Sequence, residues 1–274
     1  MPSRFPLSVG PYTLLETLGR GSMGVVYRAS DQRRNRIVAL KTMIVDSTTA
    51  PERKKRFNRE ANLAAQLDHP HIIKIFELGE EAGRIYIAME LLEGSDLKHV
   101  LKSEKTIRMP EKLRWMNELA GAIGFAHDKG IIHRDIKPSN VWIRTNRKTV
   151  VMDFGIARPP ASDLTRAGVI LGTPDYISPE QILSVRPDQR TDIFLLGILF
   201  YEMLTGTHPF LGDSLTGTAH NLLNEQPRQP HLLNPEIPEN LGRILIKALE
   251  KNMNQRYQSC NEMLQDLQPF LNES

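Results

Sequence analysis

The sequence predicts an α+β protein in which a strand-rich first part precedes a mainly helical second part. Three runs near the start, at 12–18, 24–29 and 36–43, are rich in β-branched and aromatic residues and are separated by turn residues. This pattern is typical of β-strands joined by tight turns. Beyond about residue 95, apolar residues recur at helical spacing instead. With 274 residues, the chain is long enough for one large domain or for two lobes.

One helix is expected to interrupt the strands of the first part. It is predicted at about 52–67, because Pro51 suits a first helical turn and apolar residues follow at helical spacing. Two further strands are predicted at 72–78 and 84–90. The stretch 93–95 then has the character of a hinge between the two parts.

The second part is predicted to begin with a long helix at 111–128, followed by a short hairpin of strands at 141–143 and 149–152. A long irregular stretch, 153–179, comes next, and a loop of that length inside a compact domain is usually functional. The last helices are expected at 188–204, 215–224, 241–251 and 260–267.

The bulk composition excludes several classes of function. The net charge is +3, from 35 basic and 32 acidic residues, which is too small to indicate nucleic-acid binding or a membrane surface. The longest uncharged apolar run, 193–201, is far shorter than the roughly 20 residues that span a bilayer. The only cysteine, Cys260, cannot form an internal disulfide, so a reducing cytoplasm is expected, with this residue half-buried in a helix.

The first chemical motif is the stretch 19–24, which reads GRGSMG. A GxGxxG pattern alone is weak evidence, since it also fits a glycine-rich turn. A dinucleotide-binding fold would need a helix directly after the glycines. Here a strand continues from Val25, so the motif is predicted on a β-hairpin, where backbone N–H groups can cover phosphates.

A lysine and a glutamate form the second predicted feature. Lys41 ends the strand motif VALK, and Glu60 falls within the apolar stripe of the helix predicted at 52–67. A carboxylate on a buried helix face is costly unless it is paired. A Lys41–Glu60 pair directed at ATP phosphates is one interpretation, and a purely structural salt bridge is the alternative.

The most specific string is HRDIKPSN at 133–140, followed by Asp153 in the tripeptide DFG. Phosphoryl transfer needs a carboxylate near the attacking hydroxyl, metal ligands and a cation on the moving charge. Asp135 suits the first role and Lys137 the last. Asn140 and Asp153 provide the oxygen ligands that Mg²⁺ prefers. Each residue singly is typical of a polar turn, and their joint order and spacing predict the active site.

These motifs resemble those of the eukaryotic-like (Hanks-type) serine/threonine protein kinases, most closely their bacterial members. The resemblance runs from about residue 12 to 267, and the strings GTPDYISPEQ at 172–181 and RYQS at 256–259 point to the bacterial members. It implies a bilobal kinase fold with a small antiparallel-sheet N-lobe, one key helix in that lobe, and a larger, mainly helical C-lobe. The implied boundaries are an N-terminal extension at 1–11 and a kinase domain at 12–274, with the N-lobe at 12–91 and the C-lobe at 92–274.

The resemblance also implies an activity and site residues. The implied reaction moves the γ-phosphate of ATP to serine or threonine of protein substrates, with Mg²⁺ or, in its place, Mn²⁺. The implied ATP-binding residues are Leu18, Gly19, Gly21, Gly24, Val26, Ala39, Lys41, Glu60, Met89, Glu90, Leu92, Asp96 and Trp142. The implied catalytic residues are Asp135, Lys137, Lys41, Asn140 and Asp153. Structural roles are implied for Arg134, Thr173, Glu180, Asp192 and Arg256, with Glu180 and Arg256 as a buried pair.

Regulation and acceptor choice are implied in the same way. Ile156, directly after the DFG tripeptide, favours threonine acceptors in the family. Arg134, beside the catalytic aspartate, suits a phosphate on the activation loop. Thr165 is the expected phosphorylation site, and Ser162 is the second candidate. A homodimer that phosphorylates itself in trans is known among the related bacterial kinases, and no residue of this sequence tests it.

Three positions depart from the family pattern. Trp142 stands where leucine or methionine is usual beneath the adenine, Ser178 where alanine is usual, and Leu195 where serine or alanine is usual. An indole at 142 either narrows the adenine pocket or stacks on the base.

Two other functions stay open. The alternatives to an active protein kinase are a pseudokinase scaffold that binds partners, and a small-molecule phosphotransferase. The latter class generally lacks the segment 172–180.

Overall fold

The computed structural model describes residues 8–21, 24–44, 62–81, 83–104, 106–154 and 175–272. By its internal contacts, the chain divides into two compact units, Met1–Glu93 (the first unit) and Gly94–Ser274 (the second unit). The lobe boundary predicted between residues 91 and 92 lies two residues before this division.

The first unit contains a six-stranded antiparallel sheet. Its strands are β1 (Ser8–Val9), β2 (Tyr12–Gly21), β3 (Gly24–Asp31), β4 (Arg36–Ile44), β5 (Ile75–Glu81) and β6 (Arg84–Met89). Their order in the sheet is β1-β2-β3-β4-β6-β5. One face is covered by a cluster of buried side chains, which includes Tyr12, Leu14, Ala29, Val38, Leu40, Tyr86 and Ala88. Alternation along β4 places the apolar side chains Val38 and Leu40 in this cluster and leaves Ala39 and Lys41 on the opposite face.

Within the stretch 1–11, which the sequence predicted as an extension, Ser8–Val9 pairs with β2. The sequence misplaces the start of one strand: β5 begins at Ile75 rather than at Ile72, which is buried outside the strand, as is Ile73. Burial alone does not distinguish a strand residue from a neighbouring packed residue, which explains this error. Of the helix predicted at 52–67, the described part is helical at 62–64.

The second unit combines a three-stranded sheet with helices. The strands are β7 (Gly94–Asp96), β8 (Val141–Arg144) and β9 (Thr149–Val151), in that order. The helices of its described part are α1 (Leu97–Ser103), α2 (Met109–Asp128), α3 (Pro179–Ile182), α4 (Gln189–Thr205), α5 (Leu215–Asn224), α6 (Glu239–Ala248) and α7 (Cys260–Asn272), with short 3₁₀ turns at Pro138–Asn140, Pro230–Leu232 and Met253–Gln255.

Helix α4 is the core of the second unit. It is apolar on nearly all sides, and most of its side chains are buried, as expected for a helix that is surrounded by other elements. Leu195, the departure noted in this helix, is fully buried. Helix α2 packs against both α4 and α7. Cys260 at the start of α7 is only 1% exposed, so the expectation of a half-buried residue was wrong.

The predicted hinge at 93–95 corresponds in large part to strand β7, and helix α1 was not predicted. Helix α1 is seven residues long and buries only Leu97 and Val100, so it offers too few apolar positions for a periodic signal. Helix α7 continues past the predicted end at 267 and includes Pro269. Among the helices in the described ranges, none combines the length and the apolar character needed to cross a membrane.

Candidate active site

The loop between α2 and β8 fixes the carboxylate of Asp135. Lys137 Nζ lies 2.8 Å from Asp135 Oδ2. Asn140 donates from Nδ2 to the same oxygen at 2.9 Å and to the backbone carbonyl of Asp135 at 2.8 Å. Asp135 is 6% exposed. The loop therefore holds a buried carboxylate between an ammonium group and an amide donor.

Asp192 of α4 holds the backbone of this loop in place. Its Oδ2 accepts the backbone N–H of His133 at 2.7 Å, and its Oδ1 accepts the backbone N–H of Arg134 at 2.7 Å. His127 Nε2 donates to Oδ2 at 2.8 Å. Arg134 has a φ of +64°, a conformation that costs energy for a residue with a side chain. The Asp192 contacts hold the loop in this strained conformation.

The β8–β9 hairpin places the two predicted metal ligands at one end. Met152 donates its backbone N–H to the Asn140 carbonyl at 2.8 Å, which closes that end of the hairpin, and Asp153 follows directly with a φ of +52°. Because the Nδ2 atom of Asn140 is directed to Asp135, its Oδ1 atom points away from that contact, and within the described part of the chain it accepts no hydrogen bond. The Asn140 amide oxygen and the Asp153 carboxylate are thus suitable ligands for a hard divalent cation.

His133, which the sequence did not single out, links the loop to this hairpin. Its Nε2 atom donates to the Met152 carbonyl at 2.9 Å, and its Nδ1 atom accepts the backbone N–H of Asp135 at 3.2 Å. Its ring lies 4.6 Å from the ring of Phe154, between centroids. The position of His133 inside the motif at 133–140 was a sufficient signal to suggest such a role.

Trp142 and Asp96 lie side by side in the three-stranded sheet. They are directly opposite each other in the β7–β8 register. Asp96 is also the N-cap of α1, since its Oδ1 atom accepts the backbone N–H of His99 at 2.8 Å. Trp142 is half-buried. The structure therefore brings these two predicted ATP-binding residues together and gives one of them a capping contact.

In the first unit, the strand register gathers four predicted ATP-binding residues on one face of the sheet. Val26 is paired with Lys41, and Met89 is paired with Ala39. Ala39 and Lys41 are two positions apart on β4, so their side chains project to the same side. This face is opposite to the one that carries the buried apolar cluster.

The glycines at 19–24 differ in what the fold demands of them. Gly24 has a φ of +138°, and a Cβ atom there would lie 2.0 Å from the Thr42 carbonyl oxygen, so only glycine fits. A Cβ atom on Gly19 or Gly21 would meet no described atom within 4 Å. Contacts in the described structure therefore explain Gly24 but not Gly19 or Gly21.

The remaining predicted ATP-binding residues of the first unit lie at its edges. Leu18 is 47% exposed on β2. Glu90 donates its backbone N–H to the Lys74 carbonyl at 2.9 Å, and its Oε1 atom accepts the Lys74 backbone N–H at 3.2 Å. Leu92 is half-buried beyond the end of β6.

Four of the predicted site residues lie outside the described part of the chain. They are Glu60, Ser162, Thr165 and Thr173.

Glu180 and Arg256, which the resemblance pairs, form a buried ion pair. Arg256 Nη1 and Nη2 donate to Glu180 Oε1 and Oε2, each at 2.9 Å, and Thr191 Oγ1 donates to Glu180 Oε1 at 2.7 Å. Burial by itself raises the pKa of Glu180, but the hydrogen bonds and the charge of Arg256 outweigh burial and lower this pKa below its ordinary value.

Ser178, one of the three departures from the family pattern, caps a helix. It is the N-cap of α3, and with Gln181 it forms a reciprocal capping box. Gln181 Nε2 also donates to the Arg134 carbonyl at 3.1 Å, which connects α3 to the loop that contains Asp135. The S-x-x-Q spacing before a helix was the signal that this box required.

Comparison with known proteins identifies the class. A family model described as the protein kinase domain matches residues 12–268. The chain belongs to this family and is a protein kinase domain with the corresponding fold, an antiparallel-sheet N-lobe and a helical C-lobe, as predicted.

The relatives are bacterial. The chain is 39% identical over 269 residues to a probable serine/threonine-protein kinase of Streptomyces coelicolor, covering 96% of this chain and 40% of that protein. It is 38% identical over 263 residues to the serine/threonine-protein kinase PknB of Mycobacterium tuberculosis, covering 93% of this chain and 42% of that protein. The crystal structure of the M. tuberculosis PknI kinase domain matches with a TM-score of 0.77 and 27% identity, over 96% of this chain and 97% of that one.

These comparisons confirm the predicted resemblance to serine/threonine protein kinases and to their bacterial members. The chain spans about two fifths of the length of the curated relatives that it matches.

Proposed function

We propose that this domain transfers the γ-phosphoryl group of ATP to serine and threonine hydroxyls of protein substrates, with threonine favoured. The observation that carries the proposal is the Asp135 carboxylate, which lies 2.8 Å from Lys137 Nζ and 2.9 Å from Asn140 Nδ2 on a loop fixed by Asp192. A preorganised carboxylate beside a cation matches the few groups that phosphoryl transfer requires.

In the proposed reaction, Asp135 orients the substrate hydroxyl and accepts its proton. The hydroxyl oxygen forms a bond to the γ-phosphorus as the bond from that phosphorus to the β–γ bridging oxygen breaks, and ADP leaves. Lys137 stabilises the negative charge on the transferred group, because its ammonium is held next to Asp135. Both residues act from a rigid loop, so little reorganisation is needed during the transfer.

Asn140 and Asp153 are the proposed ligands of the divalent cation. When bound, Mg²⁺ neutralises charge on the phosphate oxygens, and Mn²⁺ takes the same oxygen ligands. Asn140 is suited to this role because its amide nitrogen is already engaged with Asp135, which orients the amide oxygen away from that residue. Asp153 follows the hairpin closed by the Met152–Asn140 hydrogen bond.

The residues predicted to bind ATP are proposed to hold the nucleotide. The described structure has room for a side chain at Gly19 and at Gly21, so packing does not explain these two glycines. Glycine at these positions leaves the backbone accessible to phosphate oxygens. Lys41 is proposed to bind the phosphates with Glu60 as its partner. The base and ribose are assigned to Leu18, Val26, Ala39, Met89, Glu90, Leu92, Asp96 and Trp142.

The finer points of the proposal concern regulation and acceptor choice. Arg134 is proposed to bind a phosphate on Thr165, or on Ser162, and so to activate the domain after autophosphorylation. Ile156 supports the preference for threonine through the family resemblance. Transfer between two copies of the domain is the proposed route to this modification.

Intact-mass measurement of the purified protein with Mg²⁺ and ATP tests the proposal. Gains of whole phosphate units are expected, with phosphothreonine at 165 on peptide mapping, and transfer to a generic basic protein. The matched control is Asp135→Asn, which keeps the side-chain shape and removes the carboxylate, and it is expected to show no gain. An unmodified wild-type protein that still binds ATP in a thermal-shift titration would contradict the proposal and favour a scaffold.

A further inference from the structure

The turn between β8 and β9 is held by an arginine that belongs to none of the motifs described above. Arg147 donates from Nη1 and Nη2 to the two carboxylate oxygens of Glu104, at 2.7 and 2.9 Å, and from Nε to Glu111 Oε1 at 2.7 Å. Glu104 directly follows α1, and Glu111 lies in the first turn of α2. One guanidinium therefore connects the turn to two helices.

The backbone of Arg147 is held as well. Its carbonyl accepts the indole N–H of Trp115 at 2.8 Å and Arg114 Nη2 at 3.2 Å. Trp115 is fully buried, and its ring faces the Arg147 guanidinium at 5.1 Å. Arg147 has a φ of +64°, so the turn adopts a backbone conformation that favours glycine although it carries an arginine.

A second contact fixes the start of β9 to α2. Glu118 Oε2 accepts both the backbone N–H and the hydroxyl of Thr149, at 2.8 and 2.9 Å. Thr149 is fully buried. The hairpin is thus attached to α2 along its turn and at the first residue of β9.

The opposite end of the same hairpin carries Asn140 and Asp153. The two strands are paired through Val141–Val151, Trp142–Val150 and Ile143–Thr149, and the Met152–Asn140 hydrogen bond continues this ladder. A short, fully paired hairpin transmits the position of its turn to its open end, because its strands do not slide without breaking these bonds. The register held at the turn therefore determines where the two oxygen ligands lie.

We propose that Arg147 is a positioning residue: its ion pairs with Glu104 and Glu111 hold the β8–β9 hairpin in the register that brings the oxygens of Asn140 and Asp153 to one divalent cation. The inference rests on the proposed function, which assigns those two residues to the metal. A single exposed ion pair contributes little, but this arrangement is bidentate, shared between two carboxylates and only partly exposed, which is the geometry in which such pairs do contribute.

Arg147→Gly is the informative variant, because glycine accepts the positive φ of the turn without strain while the side chain and its guanidinium are removed. Arg147→Ala, which strains the backbone as well, is the second variant. The matched control is Arg243→Ala, which removes an exposed arginine that pairs with Glu239 on α6, away from the hairpin.

Two measurements compare these variants with the wild type. Binding of Mn²⁺ in the presence of ADP is measured by electron paramagnetic resonance, and hydrogen exchange of the Met152 amide is measured by mass spectrometry. Neither readout requires turnover.

Arg147→Gly is expected to weaken Mn²⁺ binding by about 3- to 10-fold and to speed exchange at Met152, while Arg243→Ala matches the wild type. The Mg²⁺ concentration for half-maximal phosphorylation is expected to rise by the same factor. Equal Mn²⁺ affinity and equal Met152 exchange in wild type and Arg147→Gly would overturn the positioning role and leave the proposed function intact. A wild-type protein that binds Mn²⁺ but transfers no phosphate would refute the function instead, and one that binds no Mn²⁺ would overturn both.

Discussion

Arg256 and Glu180, 76 positions apart in the sequence, meet through two parallel hydrogen bonds of 2.9 Å, and both side chains are almost completely buried. Glu180 lies in α3, and Arg256 directly follows the 3₁₀ turn Met253–Gln255. Arg256 also donates to the backbone carbonyls of Glu250 and Lys251. The pair therefore joins two segments that are far apart in the sequence.

Removing one partner of this pair is expected to destabilise the domain strongly. Glu180→Gln leaves the Arg256 charge buried without a counter-charge, at a cost of about 3–5 kcal/mol in the free energy of unfolding. Urea unfolding followed by circular dichroism measures this loss. The double variant Glu180→Leu with Arg256→Met, which removes both charges, is expected to recover much of it, and a double variant no more stable than Glu180→Gln would contradict this explanation.

The same pair predicts a dependence of stability on pH. Because Arg256 lowers the pKa of Glu180 below its ordinary 4.5, the carboxylate stabilises the folded state fully above pH 4.5. This contribution is lost as the pH falls through the lower pKa of the folded state. The difference in unfolding free energy between wild type and Glu180→Gln is thus expected to narrow steadily below pH 4.5, and a difference that stays constant in acid would exclude the mechanism.

Asp192→Asn tests how the loop that contains Asp135 is held. An amide at this position cannot accept both backbone N–H groups, of His133 and Arg134, and the His127 donor as the carboxylate does. Phosphoryl transfer is expected to fall by about 10- to 100-fold while nucleotide affinity changes little, because the loop loses its fixed geometry. Kinetics with a basic protein substrate and ATP thermal shift separate the two effects, and equal losses in both would contradict this role.

Lys251 predicts a second dependence of stability on pH, at the alkaline end. Burial and then the charge of Arg256 lower the pKa of Lys251 to about 7, against opposing effects of Glu225 and Glu250. Between pH 7 and its ordinary 10.5 the unfolded state binds the extra proton, so stability is expected to rise with pH across this window. After allowance for solvent screening of this half-buried group, the gain is about 1–2 kcal/mol. The Lys251→Met variant is expected to lose this rise of unfolding free energy with pH. The control variant Lys102→Met, which changes an exposed lysine, is expected to retain it.

Trp142 offers a direct optical test of the nucleotide site. The chain contains two tryptophans, and the other, Trp115, is fully buried and bonded to the Arg147 carbonyl. ADP with Mg²⁺ is expected to quench the fluorescence of Trp142, because an indole close to a purine base stacks on it. The Trp142→Leu variant is expected to lose the quenching and to bind ADP less tightly. Quenching that persists in this variant would place the base elsewhere.

The local motifs of the active site were predictable, because their chemistry is written in short stretches. The residues 133–140 fold into one loop, so the neighbours of Asp135 are also its neighbours in sequence. In β4, side chains alternate between the two faces of the sheet, so Lys41 and Ala39, two positions apart, lie on the same face. In both cases, short-range geometry determines which side chains meet.

The contacts that the sequence did not reveal are long-range. Arg147 lies 36 and 43 positions from Glu111 and Glu104, and a charged residue in a turn is usually solvated, so nothing local indicates its partners. Helix α1 is too short for a periodic signal, and its N-cap, Asp96, was predicted only as an ATP-binding residue. Tertiary packing selects these arrangements among many that the local sequence permits.

Arg134 and Asp153 both occupy backbone conformations that cost about 1–3 kcal/mol for residues other than glycine. Directed evolution for heat resistance alone would reward glycine at these two positions, since glycine relieves the strain. The resulting variants would melt at a higher temperature and lose the aspartate proposed to bind the metal or the arginine proposed to bind the phosphate. A substitution at either position that raises the melting temperature is therefore expected to cost activity, and selection must include phosphoryl transfer from the first round.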